Sequence, residues 1–291
     1  MRLNSIYSRR DFLKLMAVTT AQLASLSIGG AVYGTRVEPA WIDIETAALK
    51  LPRLHPAFDG FRITQISDIH MGGWMNRERF GRVIDLVKGT HPDVILITGD
   101  FIEYTSDWVH DSQSVRDVQA ALSLFNFAPV MAVLGNHDYE SHMNLYLRSV
   151  FSGLNFIDLT NEVHTLSRGE GQLNFAGVDD ILLGVPDLPA VLAKLPGSGA
   201  AILLVHEPDF ADVSSVTGSF DLQVSGHSHG GQVVLPVIGP PMLPEKGKKY
   251  VSGLYRVGGM LQYTSRGVGM TVPYVRFNCR PEITAFTLRA G

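Results

Sequence analysis

Five short polar motifs, each directly after an apolar stretch, carry the residues of this sequence that are best suited to metal chemistry. The candidates are two aspartates, one asparagine and four histidines: Asp68, His70, Asp100, Asn136, His206, His227 and His229. Carboxylate, amide and imidazole groups suit Mn, Fe or Zn ions, and no cysteine in these motifs offers a thiolate. A single motif of this kind is more often a turn, but turns do not require histidine, so the five together indicate a metal site.

The spacing inside two motifs predicts shared ions. Asp68 and His70 are two residues apart, and so are His227 and His229. In an extended segment such residues project to the same side. We therefore expect Asp68 and His70 to share one ion, and His227 and His229 to bind the same ion or two adjacent ones. All five motifs should meet at one rim, because ligands of open α/β sheets bind at the carboxyl ends of strands.

In chain order these motifs resemble those of the calcineurin-like metallophosphoesterase superfamily, from about residue 61 to residue 231. The matching stretches are Asp68-x-His70, Gly99-Asp100, Gly135-Asn136-His137-Asp138, His206 and Gly226-His227-x-His229. The resemblance implies two divalent ions, Mn, Fe or Zn. It implies that Asp68, His70 and His229 bind the first ion, that Asn136, His206 and His227 bind the second, and that Asp100 bridges them.

Two such ions would support phosphoester hydrolysis. Two cations about 3.5–4 Å apart acidify a bridging water and clamp the attacking and leaving oxygens of phosphorus. The resemblance implies that His137 contacts the phosphate and protonates the leaving oxygen, a role worth about 10²–10⁴-fold, and that Asp138 orients His137. A phosphomonoesterase or protein phosphatase of the same fold is one alternative. A non-catalytic metal-binding scaffold is the other.

A serine hydrolase is the rival enzyme class, because Gly226-x-Ser228-x-Gly230 matches the nucleophile-elbow pattern. That pattern requires a following helix and a later catalytic histidine. The sequence predicts a strand at Gln232–Leu235, and no histidine follows His229. The pattern is therefore rejected.

The C-terminal third narrows the resemblance. The stretches Ser265–Gly269 and Cys279–Ile283 are similar to a bacterial membrane-associated phosphodiesterase branch. That branch includes proteins with twin-arginine signals and UDP-2,3-diacylglucosamine pyrophosphatases of lipid A synthesis. It implies a cell-envelope or lipid-linked phosphoester as substrate. Arg266 is a candidate for holding a substrate phosphate, with a salt bridge at a strand end as the alternative. The segment Leu235–Lys249 mixes apolar residues with lysines, so it either contacts a lipid surface or is a solvated loop.

The first residues resemble an export signal. The stretch Ser8-Arg9-Arg10-Asp11-Phe12-Leu13-Lys14 matches a twin-arginine pattern, and no charged residue follows from Leu15 to Thr35. We expect residues 1–34 to be a twin-arginine-type signal or an uncleaved membrane anchor. The twin-arginine export machinery would then be a partner, and the enzyme would act on the extracytoplasmic face. Membrane association on the cytoplasmic face is the alternative.

Composition and periodicity supply the elements that must position the motifs. With 291 residues, 45% of them hydrophobic, and a net charge of −4, the chain is neither disordered nor a multi-span membrane protein, and it is not expected to bind nucleic acid. Residues 35–59 are predicted to be an extended lead-in, and residues 60–291 one α/β domain. The resemblance implies two packed mixed β-sheets flanked by helices. The first elements are predicted at Phe61–Ser67 (strand), Arg77–His91 (helix), Val94–Thr98 (strand), Asp111–Phe127 (helix), Pro129–Leu134 (strand) and Asn144–Phe151 (helix).

Overall fold

A computed structural model describes residues 9–103 and 112–291. Within these ranges two six-stranded sheets pack against each other. In spatial order, the first sheet contains β1 (Asp43–Leu51), β12 (Glu282–Ala290), β2 (Arg62–Ile66), β3 (Val94–Thr98), β4 (Val130–Val133) and β5 (Ile157–Asp158). The second contains β10 (Gly253–Val257), β11 (Met260–Thr264), β9 (Leu222–Ser225), β8 (Ala200–Leu204), β7 (Gly171–Gly177) and β6 (Glu162–Arg168).

Both sheets are mixed. Strands β2 to β5 run parallel, and β12 pairs antiparallel to β2. In the second sheet β7, β8, β9 and β11 run parallel, while β6 and β10 form the antiparallel edges. Parallel strands end at the same side of a sheet, so the loops that follow β2, β3, β4, β8 and β9 share one rim.

Helices from Arg77 onward cover the outer faces of the two sheets. In the described ranges the α-helices are α1 (Arg9–Val32), α2 (Arg77–Gly89), α3 (Ser112–Leu122), α4 (Asn136–Glu140), α5 (Asn144–Leu154), α6 (Leu188–Lys194) and α7 (Ala211–Ser214). Helix α2 shows why they form. Asn76 caps it by accepting the N–H of Arg79 at 2.9 Å, and its one apolar face, with Phe80 and Val83, is buried.

Strand β3 shows the layering directly, because its side chains alternate between two cores. Val94 and Leu96 pack between the sheets, in a cluster that includes Phe175 of the second sheet. Ile95 and Ile97 pack on the other side, under the helices. A four-layer α/β arrangement of two sheets flanked by helices is confirmed.

Two predicted segments differ from the structure. The lead-in at residues 35–59 contains β1, which pairs with β12 over its whole length and so belongs to the first sheet. Its three prolines indicate an extended chain but not the partner strand, which lies over 200 residues away. The predicted strand at Gln232–Leu235 is wrong: Gln232 has a φ of 54°, and its side-chain amide binds the backbone of Thr271 instead of extending a ladder.

The N-terminal predictions are covered only in part. Ser8, where the twin-arginine pattern begins, and Asp111, where a helix was predicted to start, lie outside the described residues. Helix α1 covers Arg9–Val32. Among the helices that the structure describes, none is both long enough and apolar enough to cross a bilayer.

Candidate metal centre

The rim formed by both sheets brings the predicted ligands together in two adjoining groups. In the first, the ligand atoms of Asp68, His70 and His229 all lie within 4.8 Å of one another. In the second, the same holds for Asp100, His206 and His227. We call Asp68, His70 and His229 the Asp68 cluster, and His206 and His227 with Asn136 the His206 cluster. All of these side chains are at least nine-tenths buried.

Asp100 lies between the two clusters. Its Oδ2 is 3.2 Å from Nε2 of His206 and 3.6 Å from Nε2 of His70. Its Oδ1 accepts the backbone N–H of His137 at 2.9 Å. One carboxylate oxygen therefore faces a histidine of each cluster, which is the placement that a bridging ligand requires.

The Asp68 cluster is supported by a second carboxylate. Nε2 of His70 lies 3.0 Å from Nε2 of His229, and Nε2 of His229 lies 3.4 Å from Oδ1 of Asp68. On the far side of the His70 ring, Nδ1 lies 2.8 Å from Oε2 of Glu103. A histidine whose Nδ1–H faces a carboxylate presents its Nε2 lone pair to a metal.

The His206 cluster is oriented by backbone carbonyls instead. Nδ1 of His206 is 2.6 Å from the carbonyl of Thr98, and Nε2 of His227 is 2.7 Å from the carbonyl of Glu245. Each contact takes one ring nitrogen as a donor and leaves the other for a ligand. Within the described residues, Nε2 of His206 and Oδ1 of Asn136 are buried without a hydrogen-bond partner. Imidazole nitrogens and amide or carboxylate oxygens are ligands that suit hard or borderline divalent ions, so the residues fit the metals that the motifs imply.

The electrostatics of His227, His229 and Asp100 agree with that fit, whereas the buried carboxylates around His70 and His206 raise the pKa of those two imidazoles. Burial lowers the pKa of His227 to about 4, and with the imidazole of His70 it holds the pKa of His229 well below its usual value. Both rings are therefore neutral, which is the form that binds metal. Burial alone would raise the pKa of Asp100, but the neighbouring imidazoles of His206 and His137 hold it well below its usual range. The shared carboxylate is therefore charged.

The ligands meet through strained backbone, not through extended chain. A left-handed φ occurs at five of them: Asp68 (53°), His70 (50°), Asp100 (56°), His227 (68°) and His229 (51°). The expectation that pairs two residues apart project together from an extended segment is therefore wrong in its reason. Such conformations cost about 1–3 kcal/mol each and persist where the surroundings enforce them, which is often at functional sites.

Two glycines permit this close approach. A side-chain carbon at Gly226 would lie 1.9 Å from Oγ of Ser67, and one at Gly135 would lie 2.4 Å from Oδ1 of Asp100. Both positions exclude any larger residue. Neither glycine has a left-handed φ, so each is required for the space it leaves and not for its backbone conformation.

Asp138 does not orient His137, contrary to the sequence interpretation. Its carboxylate accepts four backbone N–H groups, from Asp100, Phe101, Ile102 and Gly135, at 2.9–3.2 Å. It therefore fixes the loop that carries Asp100. The His137 ring packs edge-on against His70, with centroids 4.7 Å apart.

Arg266 lies in an ion-pair network. Its guanidinium is within 2.7–3.4 Å of carboxylate oxygens of Asp43, Glu45 and Glu282. This is the strand-end salt bridge that the sequence left open as the alternative.

Glu103 is the residue that sequence reasoning missed, and its only signal was its place three residues after Asp100.

Comparison with known proteins agrees with the site. Residues 61–231 match the family model described as calcineurin-like phosphoesterase. The metallophosphoesterase YkuE of Bacillus subtilis (strain 168) is 36% identical over 97% of this chain and 98% of its own length. Phosphodiesterase YaeI of Escherichia coli (strain K12) is 31% identical over 97% of this chain and 99% of its own. A transmembrane protein with metallophosphoesterase domain from Danio rerio is 29% identical over 94% of this chain and 62% of its own length.

Proposed function

Because the chain belongs to the calcineurin-like phosphoesterase family, we propose that it is a two-metal phosphodiesterase acting on a cell-envelope phosphoester. Membership of this family supports hydrolysis of phosphoester bonds by means of divalent ions. The single observation that carries the two-metal proposal is Asp100, whose Oδ2 faces His206 and His70 together. The Asp68 cluster would hold one ion and the His206 cluster the other. When bound, two divalent cations supply the charge that activates water and stabilises the phosphoryl oxygens.

His137 is the proposed proton donor to the leaving oxygen. It follows Asn136 directly, and one of its ring nitrogens lies within 4.8 Å of a ring nitrogen of His70 and a carboxylate oxygen of Asp100. Its backbone N–H is held by Asp100 at 2.9 Å, and its ring is packed on His70. Among the described residues its Nδ1 has no hydrogen-bond partner. The ring is therefore positioned by contacts that do not use its Nδ1.

A diester or pyrophosphate is the proposed substrate class, with a lipid-linked phosphoester such as a UDP-diacylglucosamine as its narrowest form. The printed description of YaeI as a phosphodiesterase supports a diester. The twin-arginine-like pattern at Arg9-Arg10 supports a substrate at the envelope and export by the twin-arginine route. Fractionation of cells with N-terminal sequencing of the protein tests this location. A protein found only in the cytosol would contradict it.

The test of the reaction compares two aryl phosphates. The purified full chain, loaded with Mn, Fe or Zn, should hydrolyse bis(p-nitrophenyl) phosphate faster than p-nitrophenyl phosphate. His137→Asn should lower kcat on the diester by about 10²–10⁴-fold because the proton donor is lost. His91→Asn, at an exposed histidine, is the matched control and should not change it. Faster hydrolysis of the monoester would favour a phosphomonoesterase.

The alternative of a non-catalytic scaffold has its own test. A protein that retains ions but hydrolyses neither ester, with or without His137, would support that alternative. The half-buried His137, grouped with His70 and Asp100 beside the two metal-ligand groups, favours an enzyme, because a scaffold needs no proton donor there.

A further inference from the structure

The loop between β9 and β10 exposes large apolar side chains beside the metal centre. Val237 is 108% exposed, Ile238 75% and Met242 78%. We call these three residues the apolar tip. Leu235 and Gly239 exchange two backbone hydrogen bonds, at 2.8 and 3.0 Å, and so hold Val237 and Ile238 in a tight turn. Val237 has a φ of 69°, a conformation that is a genuine outlier for a β-branched residue.

The loop that carries the tip is fixed to the metal centre. The carbonyl of Glu245 lies 2.7 Å from Nε2 of His227. A side-chain carbon at Gly231, two residues after His229, would lie 2.3 Å from Cβ of Pro240. The N–H of Val234 donates to the carbonyl of Phe277 at 2.8 Å. The tip is therefore held away from the protein by anchored chain on both sides. Burying an apolar side chain is worth about 1.5–3 kcal/mol, so exposing three of them in one strained loop indicates a partner.

Charge next to the tip identifies the chemistry of that partner. Lys246 and Lys248 follow the tip and are exposed. Their stretch of backbone is fixed, since Asp209 accepts the N–H groups of Lys248 and Lys249 at 3.0 Å. Apolar side chains flanked by lysines match the boundary between acyl chains and anionic headgroups.

The chain arrives at this surface from its N-terminal helix. The backbone carbonyl of Phe277 accepts the N–H of Val234 at the base of the loop. The ring of Phe277 lies 6.5 Å from the ring of Tyr33, with an interplanar angle of 82°. Tyr33 directly follows α1, and both rings are more than one-third exposed. The base of the loop that carries the apolar tip therefore lies next to the end of the helix for which a membrane role is proposed.

We propose that the apolar tip inserts into the surface of a bilayer containing anionic lipid, with Lys246 and Lys248 at the headgroups. The tip would then hold the metal centre next to phosphoesters at that surface. Only this statement about substrate presentation rests on the proposed function; the membrane contact does not.

The direct test places an environment-sensitive probe at the tip. The full chain with Ile238→Cys is labelled with a nitrobenzoxadiazole dye. The native Cys279 is buried, so the label reports residue 238. Vesicles of phosphatidylcholine with phosphatidylglycerol should shift the emission to shorter wavelength and raise it several-fold, as the dye leaves water. A label at Val216→Cys, a residue 82% exposed elsewhere, should not respond. Unchanged emission at residue 238 would overturn the proposal.

A second experiment separates the contribution of the tip to vesicle binding from that of helix α1, because α1 is the same in every variant. Val237→Asp with Ile238→Asp should weaken sedimentation with the anionic vesicles by about tenfold or more. The matched Val216→Asp should bind like the wild type. Lys246→Glu with Lys248→Glu should weaken binding to anionic vesicles but not to phosphatidylcholine alone. Equal binding by the tip variant would overturn the proposal.

Hydrolysis of soluble bis(p-nitrophenyl) phosphate separates this inference from the proposed function. The tip variants should retain wild-type rates on that ester, because Val237 and Ile238 belong to neither cluster. If the wild type binds vesicles through the tip but does not hydrolyse the ester, the proposed function fails and the membrane contact stands. If the wild type hydrolyses the ester and the tip variants bind vesicles normally, the membrane contact fails and the proposed function stands.

Discussion

The two halves of the metal centre are supported differently. In the Asp68 cluster a charged side chain stands behind the ligand, since Glu103 is 2.8 Å from His70. In the His206 cluster, among the residues that the structure describes, main-chain carbonyls of Thr98 and Glu245 do so instead. A carbonyl stays when its side chain is replaced, whereas a carboxylate is lost with it. The first half can therefore be weakened by one substitution behind the ligand, and the second half only by moving the backbone.

Asp100→Asn should have the largest effect because one Asp100 oxygen faces a histidine of each half. Loss of the shared negative charge removes several kcal/mol of stabilisation, so kcat/KM on bis(p-nitrophenyl) phosphate should fall by about 10³-fold or more. Steady-state kinetics at saturating metal measures it. Asp85→Asn, at an exposed aspartate, is the control. Activity within tenfold of the wild type in Asp100→Asn would show that the halves do not depend on one carboxylate.

Glu103→Gln should weaken only the Asp68 cluster. Replacing the carboxylate behind a ligand histidine typically costs about 10–100-fold in metal affinity. Titration of the metal-free protein with Zn²⁺ should therefore show one site weakened by this factor and the other unchanged. Thr271, which donates to Oε1 of Glu103 at 3.1 Å, keeps its partner in this variant. Equal weakening of both sites would mean that Glu103 acts through the whole fold and not through His70.

Arg266→Ala should affect stability and not chemistry. The substitution leaves Glu282, which is 2% exposed, without its cation. Because the guanidinium is partly solvated, a cost of about 1–3 kcal/mol is expected, below that of a fully buried pair. Thermal unfolding measures it, and KM for the diester should not change. A raised KM with unchanged stability would return Arg266 to the role of a phosphate ligand.

Glu245→Gln should have the smallest effect, and it is the matched partner of Glu103→Gln. The Glu245 side chain is exposed, and only its carbonyl contacts His227. Metal affinity and kcat should therefore stay within about twofold of the wild type. A loss comparable to that of Glu103→Gln would show that the two halves are not supported differently.

The sequence predicted which residues form the site better than how they form it. The motifs placed Asp68, His70, Asp100, His206 and His229 correctly at strand ends, because parallel strands end at one rim. Their left-handed backbone was not predictable, since it is imposed by contacts between distant segments. One such contact joins Gly226 and Ser67: a side-chain carbon at Gly226 would lie 1.9 Å from Oγ of Ser67. The predicted role of Asp138 was wrong for the same reason, because the four N–H groups that its carboxylate accepts come from two loops that are distant in sequence.

The fold shows the same division. Strand β3 was predicted to the residue, because Val94–Thr98 is a continuous apolar run bounded by turn signals. Strand β1 was missed because it buries few residues and pairs with the last strand of the chain. Local patterns thus located the buried strands, and only the tertiary structure located the edge.

The number of divalent ions per chain tests the central claim most directly. The purified full chain, saturated with Mn²⁺ or Zn²⁺ and freed of excess metal, is analysed by mass spectrometry for bound metal while its diesterase activity is followed. We expect two ions for each chain in the wild type, and activity that rises only as the second ion binds. A single bound ion at full activity would contradict a centre in which Asp100 joins two metals.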